Sequence, residues 1–219
     1  DSMNTPAISY YDAGDGNLKY ASCDVDTWTN ETVASVGSVG SWNSLAFDNN
    51  DNPCISCAYS PMGTKELKYF RYDGADWQVD TVDTASDYLF KSTSLAFDAN
   101  WDPAISYIND GDVKYASYNG TGWETTTIAT PPDESTGVSL AIDTSGNPGI
   151  SYDNTDGSWS SIDLFYAYGT PVGDLNITSV PSGATIVLDD VTHKIARMAG
   201  PLTNIPVKTY AVTVEKDGY

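Results

Sequence analysis

Apolar and aromatic residues along this chain fall in short runs, each cut off by Asp, Asn, Gly or Pro, and no stretch sustains a 3.6-residue period. The pattern predicts strands joined by tight turns, with little helix. One run recurs as a motif: Pro6-Ala7-Ile8-Ser9-Tyr10, Pro53-Cys54-Ile55-Ser56, Pro103-Ala104-Ile105-Ser106-Tyr107 and Pro148-Gly149-Ile150-Ser151-Tyr152, at steps of 47, 50 and 45 residues. A period of that size marks an array of similar units, each too small to bury its own apolar face.

Three further runs keep the same period. One is led by Trp28, Trp77 or Trp123. A second is small and apolar, Ser44-Leu45-Ala46-Phe47, Ser94-Leu95-Ala96-Phe97 and Ser139-Leu140-Ala141-Ile142. The last reads Leu18-Lys19-Tyr20-Ala21, Leu67-Lys68-Tyr69-Phe70, Val113-Lys114-Tyr115-Ala116 and Leu164-Phe165-Tyr166-Ala167. Linkers rich in Asp, Asn and Gly separate the runs, as hairpins require. Proline at the first residue of a strand costs no ladder bond, so Pro53, Pro103 and Pro148 fit strand starts.

Counted from Asp1, the signals make fourteen strands: two ahead of Trp28, then three sets of four, each led by a Trp and the last ending near Gly169. Four antiparallel strands per repeat of this length is the signature of a β-propeller blade. The expected fold is all-β: about three and a half four-stranded blades over residues 1–170. Such an array does not close a ring, so either further blades precede it or its open edges pair with another molecule. After Thr170-Pro171-Val172-Gly173 the repeat stops. Strand signals at 174–179, 184–189 and 210–215 predict a small, separate β-sandwich over 174–219.

Net charge is −20, from 30 acidic and 10 basic side chains. That surface repels phosphate backbones and anionic lipid, so nucleic acid is not an expected partner. No apolar run reaches the about 18 residues of a membrane helix, so no direct membrane insertion is expected. The chain begins at Asp1, inside a repeat, which suggests a portion of a longer, exported protein. Sequons at Asn30, Asn119 and Asn176 permit N-glycosylation in that setting. Of the cysteines Cys23, Cys54 and Cys57, the last two show a C-x-x-C spacing. Positions i and i+3 of a strand face opposite sides, and the two replace Ala and Tyr of the other repeats, so they read as packing residues.

The Ser-Leu-Ala-Phe, Pro-Ala-Ile-Ser-Tyr and Leu-Lys-Tyr-Ala series resembles propeller-type repeats of secreted surface proteins of archaea, notably methanogens, and of some bacteria. The tail resembles the PEGA domain: Val180-Pro181-Ser182-Gly183-Ala184 followed by a strand and Asp189-Asp190, then Val212-Thr213-Val214-Glu215-Lys216-Asp217-Gly218-Tyr219. Ser182 stands where the family name has Glu. The combination implies a cell-surface or surface-layer-like protein.

An enzyme on such a scaffold would be a sialidase-like glycosidase, which needs a cluster of arginines; only Arg71 and Arg197 exist. His193 is the sole histidine, so a Ser-His-Asp relay lacks a base in the repeats. Asp48, Asn50 and Asn52, and Asp98, Asn100 and Asp102, place oxygen ligands at alternate loop positions, like the first half of a calcium loop, but Asx-turns account for them equally well. Trp42, Trp101 and Trp159 fall outside the periodic slots and could stack on sugars or fill an interface. The leading expectation is a non-enzymatic extracellular protein acting by self-association, or with other surface proteins, in a surface layer, sheath or adhesive assembly. A carbohydrate-binding lectin is the alternative and a glycosidase ranks below it. No cofactor is expected, calcium being the one ion the loops suit.

Overall fold

Fourteen strands form four antiparallel sheets in the computed structural model, which describes residue 2, residues 5–60, 65–85, 90–131, 135–155 and 162–168, and three C-terminal strands. The first sheet holds β1 (Ala7–Asp12), β2 (Asn17–Asp24) and β3 (Thr27–Ala34). The second holds β4 (Ser38–Phe47), β5 (Pro53–Ser60), β6 (Lys65–Tyr72) and β7 (Trp77–Ala85). The third holds β8 (Lys91–Phe97), β9 (Pro103–Asn109), β10 (Asp112–Tyr118) and β11 (Trp123–Ala129), and the fourth β12 (Val138–Ile142), β13 (Pro148–Thr155) and β14 (Ile162–Tyr168). Neighbours in each sheet are consecutive in sequence, so every connection within a sheet is a hairpin. No helix occurs among the described residues.

The number of strands matches the sequence pattern, but their grouping is shifted by one. Each Trp-led strand closes the sheet before it instead of opening the next, so the sheets hold three, four, four and three strands. The turns give the reason. Asp73 Oδ1 accepts the N–H groups of Ala75 and Asp76, and Asn119 Oδ1 those of Thr121 and Gly122, with Gly74 and Gly120 at positive φ. These tight Asx-closed turns bind each Trp strand to its predecessor.

The buried apolar clusters form between successive sheets. Leu18 and Tyr20 of the first sheet meet Leu45, Ile55, Cys57, Phe70 and Trp77 of the second. One repeat on, Leu67 and Tyr69 meet Leu95, Ile105, Tyr107, Ala116 and Trp123. Val113 and Tyr115 then meet Leu140, Ile150, Tyr152 and Ala167. Each fully buried Leu or Ile contributes about 1.5–3 kcal/mol. Because the second and third sheets are covered on both faces, their strands are apolar on both sides. Cys54 and Cys57 lie in two different cores, on opposite faces of β5, as free thiols. Burial pushes them up to about 11 and about 12 respectively, so both stay protonated.

The repeated serines tie the edge strands β4, β8 and β12 together. Ser44 Oγ accepts the Leu95 N–H and Ser94 Oγ the Leu140 N–H, each at 3.0 Å. β4, β8 and β12 are edge strands of their sheets, and these hydroxyls satisfy N–H groups that an edge leaves without a ladder partner.

At the C-terminal end, β15 (Thr185–Asp189) pairs antiparallel with both β16 (Lys194–Met198) and β17 (Ala211–Glu215). The sequence pattern marks β15 and β17 but no strand at β16. The strand expected at 174–179 and the single histidine lie outside the described residues.

Candidate functional site

Three hairpin loops enter the Pro-x-Ile-Ser strands in the same way. Asp48 Oδ1 accepts the N–H groups of Asn50 and Asn52, Asp98 those of Asn100 and Asp102, and Asp143 those of Ser145 and Asn147, all at 2.8–2.9 Å. The fourth loop residue takes a left-handed backbone in each copy: Asp51 (φ 60°), Trp101 (φ 66°) and Gly146 (φ 84°). Asp and Gly suit that conformation, whereas a bulky aromatic there costs about 1–2 kcal/mol. Trp101 nonetheless occupies it, half exposed, with its ring 6.1 Å from that of Phe97.

Trp101 forms one wall of a cleft of about 250 Å³ between the second and third sheets. Arg71, Asp80, Tyr69 and Asp48 line it from the second sheet and its loop, and Tyr118 and Asp102 from the third. Arg71 pairs with Cys54 in the β5–β6 ladder. Its counterparts in the other sheets, set by the same register, are Ser22, Ser117 and Tyr168. Both Arg71 and Trp101 therefore break the repeat, and they face one cleft.

The cleft is amphipathic. Trp101, Phe97 and Tyr118 supply aromatic surface; one guanidinium stands among the carboxylates of Asp48, Asp80 and Asp102. Burial raises the Tyr69 hydroxyl far above its ordinary range, with the neighbouring Cys54 adding to the shift, so Tyr69 stays neutral. The arrangement offers donors and acceptors around a flat aromatic face, which suits a polyhydroxylated ring.

The expected calcium ligands sit in two successive loops, of which Asp48, Asn50 and Asp102 line the cleft. Asp48, Asn50 and Asn52 share one loop and Asp98, Asn100 and Asp102 the next; Asp48 and Asp98 spend carboxylate oxygen on their own loop's N–H groups. No group of three His, Cys, Asp or Glu residues converges to hold a metal ion among the described residues. Of the sequons, Asn30 is exposed on β3 and Asn119 is exposed in a turn, its amide donating to Glu124 at 2.6 Å. Asn176 lies outside the described residues. Trp42 is exposed on a bulge of β4, apart from the cleft, and its carbonyl accepts from Thr93 Oγ1; Trp159 lies outside the described residues. Arg71, Asp80 and Tyr118 are site residues that the periodic pattern does not mark. Reading each column of the repeat for its exception would find Arg71, as it finds Trp101.

Residues 172–219 match the PEGA domain. No curated protein matches the chain. Among solved structures, the chain is similar to AofleA from Arthrobotrys oligospora, at 12% identity and a TM-score of 0.53 over 76% of this chain and 53% of that one. It is also similar to the intramolecular trans-sialidase from Ruminococcus gnavus, at 13% identity and a TM-score of 0.50 over 75% of this chain and 40% of that one. A fucose lectin from Kordia zhangzhouensis matches at 10% identity and a TM-score of 0.45, over 58% of this chain and 93% of that one. The chain thus spans about half of AofleA and less than half of the trans-sialidase.

Proposed function

We propose that this chain is a non-catalytic carbohydrate-binding protein of the cell exterior, its four sheets being successive blades of a β-propeller. The observation that carries the reading is the meeting of Arg71 and Trp101 in one cleft, each in a slot where the other repeats hold a different residue. A half-exposed indole held at a strained backbone position is a platform for the apolar face of a sugar. Arg71 and the neighbouring carboxylates supply the donors and acceptors for hydroxyl groups.

Similarity in fold to a trans-sialidase supports a sheet array that accommodates sugars, though the lone Arg71 leaves no arginine clamp for a carboxylated substrate. The PEGA match and the strongly acidic surface support a place outside the cell. Screening the chain on a panel of neutral and anionic glycans, with calorimetry on the strongest hit, tests the proposal. Binding lost in both Trp101→Ala and Arg71→Ala is expected. An empty panel, or a hit indifferent to both substitutions, overturns it.

A further inference from the structure

The two ends of the sheet array carry the two halves of one junction. In every internal junction the leading sheet contributes a Leu or Val (Leu18, Leu67, Val113) and a Tyr (Tyr20, Tyr69, Tyr115). The following sheet contributes an Ile (Ile55, Ile105, Ile150), the residue two positions on (Cys57, Tyr107, Tyr152) and, in the first two junctions, a Trp (Trp77, Trp123). The Leu/Val and Ile slots are at most 2% exposed in all three junctions.

The same slots at the ends are bare. On the first sheet, Ile8 is 51% exposed and Trp28 49%, with Tyr10 beside Ile8 also open. On the fourth sheet, Leu164 is 76% exposed and Tyr166 is open as well. These are the following half and the leading half of the junction that recurs three times inside the chain. Where both halves exist, Tyr20 meets Trp77 edge-on with centroids 5.8 Å apart, and Tyr69 meets Trp123 at 5.2 Å. Tyr166 and Trp28 occupy the corresponding positions with no partner ring in another sheet among the described residues.

We propose that the fourth sheet of one copy docks on the first sheet of a second copy, so that Leu164 and Tyr166 of one protomer pack against Ile8, Tyr10 and Trp28 of its partner. The occupant is a second copy because both faces are on this chain and carry the kinds of residue that its own internal junctions pack together. The contact is head-to-tail, and repetition closes a ring where the rotation from sheet to sheet brings the free faces together, as it does in propellers. The inference rests on the repeat alone and is independent of sugar binding. Each copy carries a charge of −20, so salt strengthens the association by screening.

The test is the mass of the purified full chain in solution, by light scattering or sedimentation, at rising concentration and salt. A closed oligomer is expected. Ile8→Asp and Leu164→Asp, both at exposed positions and so harmless to the fold of the protomer, each reduce it to monomer. Mixing the two variants restores a one-to-one complex, because each retains the face that the other lacks. Trp101→Ala, in the cleft, associates like the parent. A parent that stays monomeric at sub-millimolar concentration and high salt overturns the proposal. So does association that survives Leu164→Asp while failing in Ile8→Asp, which would mean a face-to-itself contact.

Discussion

The indole N–H of Trp77 donates to Glu31 Oε1 at 3.0 Å across the junction between the first and second sheets. One repeat later Trp123 holds the same place, packed on Tyr69, and its buried Nε1 has no acceptor among the described residues. The ladder registers explain the difference: Glu31 pairs with Tyr20, and the residue that pairs with Tyr69 is Asp80, shorter by one methylene. Asp80 instead lines the cleft. Asp80→Glu is expected to recapture the Trp123 N–H and raise stability by about 1 kcal/mol, the scale of one satisfied buried donor. It also draws the carboxylate out of the cleft, so ligand affinity falls while stability rises. Urea denaturation and binding calorimetry on the same variant check both signs, and a variant that gains neither refutes the geometry.

A second orphan follows the same logic. Ser9 bonds Asn43 and Ser56 bonds Thr93 at 2.8 Å, each reaching from a Pro-x-Ile-Ser strand to the first strand of the next sheet. In the third junction the slot of Asn43 and Thr93 is filled by Val138, and Ser106 Oγ is buried without a partner. Val138→Thr is expected to stabilise by about 0.5–1.5 kcal/mol by supplying the missing hydroxyl. Ser106→Ala is expected to be neutral or mildly stabilising, whereas Ser56→Ala costs about 1 kcal/mol. Denaturation midpoints for the three variants decide it: equal losses at Ser56 and Ser106 would show that Ser106 has a partner after all.

These orphans also mark how far the fold is legible in the sequence. Pro53, Pro103 and Pro148 each open a strand where the motif places them, and the total of fourteen strands follows from counting apolar runs. The grouping does not follow, because a repeat can be cut at any phase. Only the tight turns before Trp77 and Trp123, closed by Asp73 and Asn119, show which neighbour each Trp strand joins. The cleft is less legible still. Trp101 stands out as irregular, but Arg71 gains its meaning only when β6 and the loop before β9 are seen to face each other across two sheets. Residue identity carries within-sheet pairing well, and between-sheet pairing only through the few columns where the repeat fails.

The second junction also carries a polar cross-link absent from the others. Asp83 stands where Ala34 and Ala129 stand elsewhere in the ladder, and its Oδ2 accepts from Tyr107 at 2.8 Å, Asn109 at 3.0 Å and the Lys114 ammonium at 3.3 Å. Burial acts to raise the Asp83 carboxyl, but the bonds from Tyr107, the Thr84 N–H and Asn109, with the Lys114 charge, together hold it below the usual range. A carboxyl depressed in the folded state contributes stability that is present above its unfolded value, about 3.9, and is lost as pH falls through the folded value. Asp83→Asn is therefore expected to be less stable than the parent at pH 7, with the gap narrowing in acid. Denaturant titrations at neutral and acidic pH measure this; parallel losses in both proteins would remove Asp83 from the acid response.

Trp101 separates binding from folding most cleanly. Its left-handed backbone is strained for an indole, and Gly146 shows that glycine fills the same loop position in the next repeat with the Asx-turn intact. Trp101→Gly thus relieves about 1–2 kcal/mol of backbone strain. It loses only the contact with Phe97, because the side chain is half exposed and buries little. The two effects offset, so stability is expected to stay within about 1 kcal/mol of the parent. Sugar binding, which needs the ring, is expected to vanish. Thermal melting together with glycan binding checks the pair of outcomes. A large loss of stability would make Trp101 a packing residue, and the strain at its backbone would then serve the fold instead of a ligand.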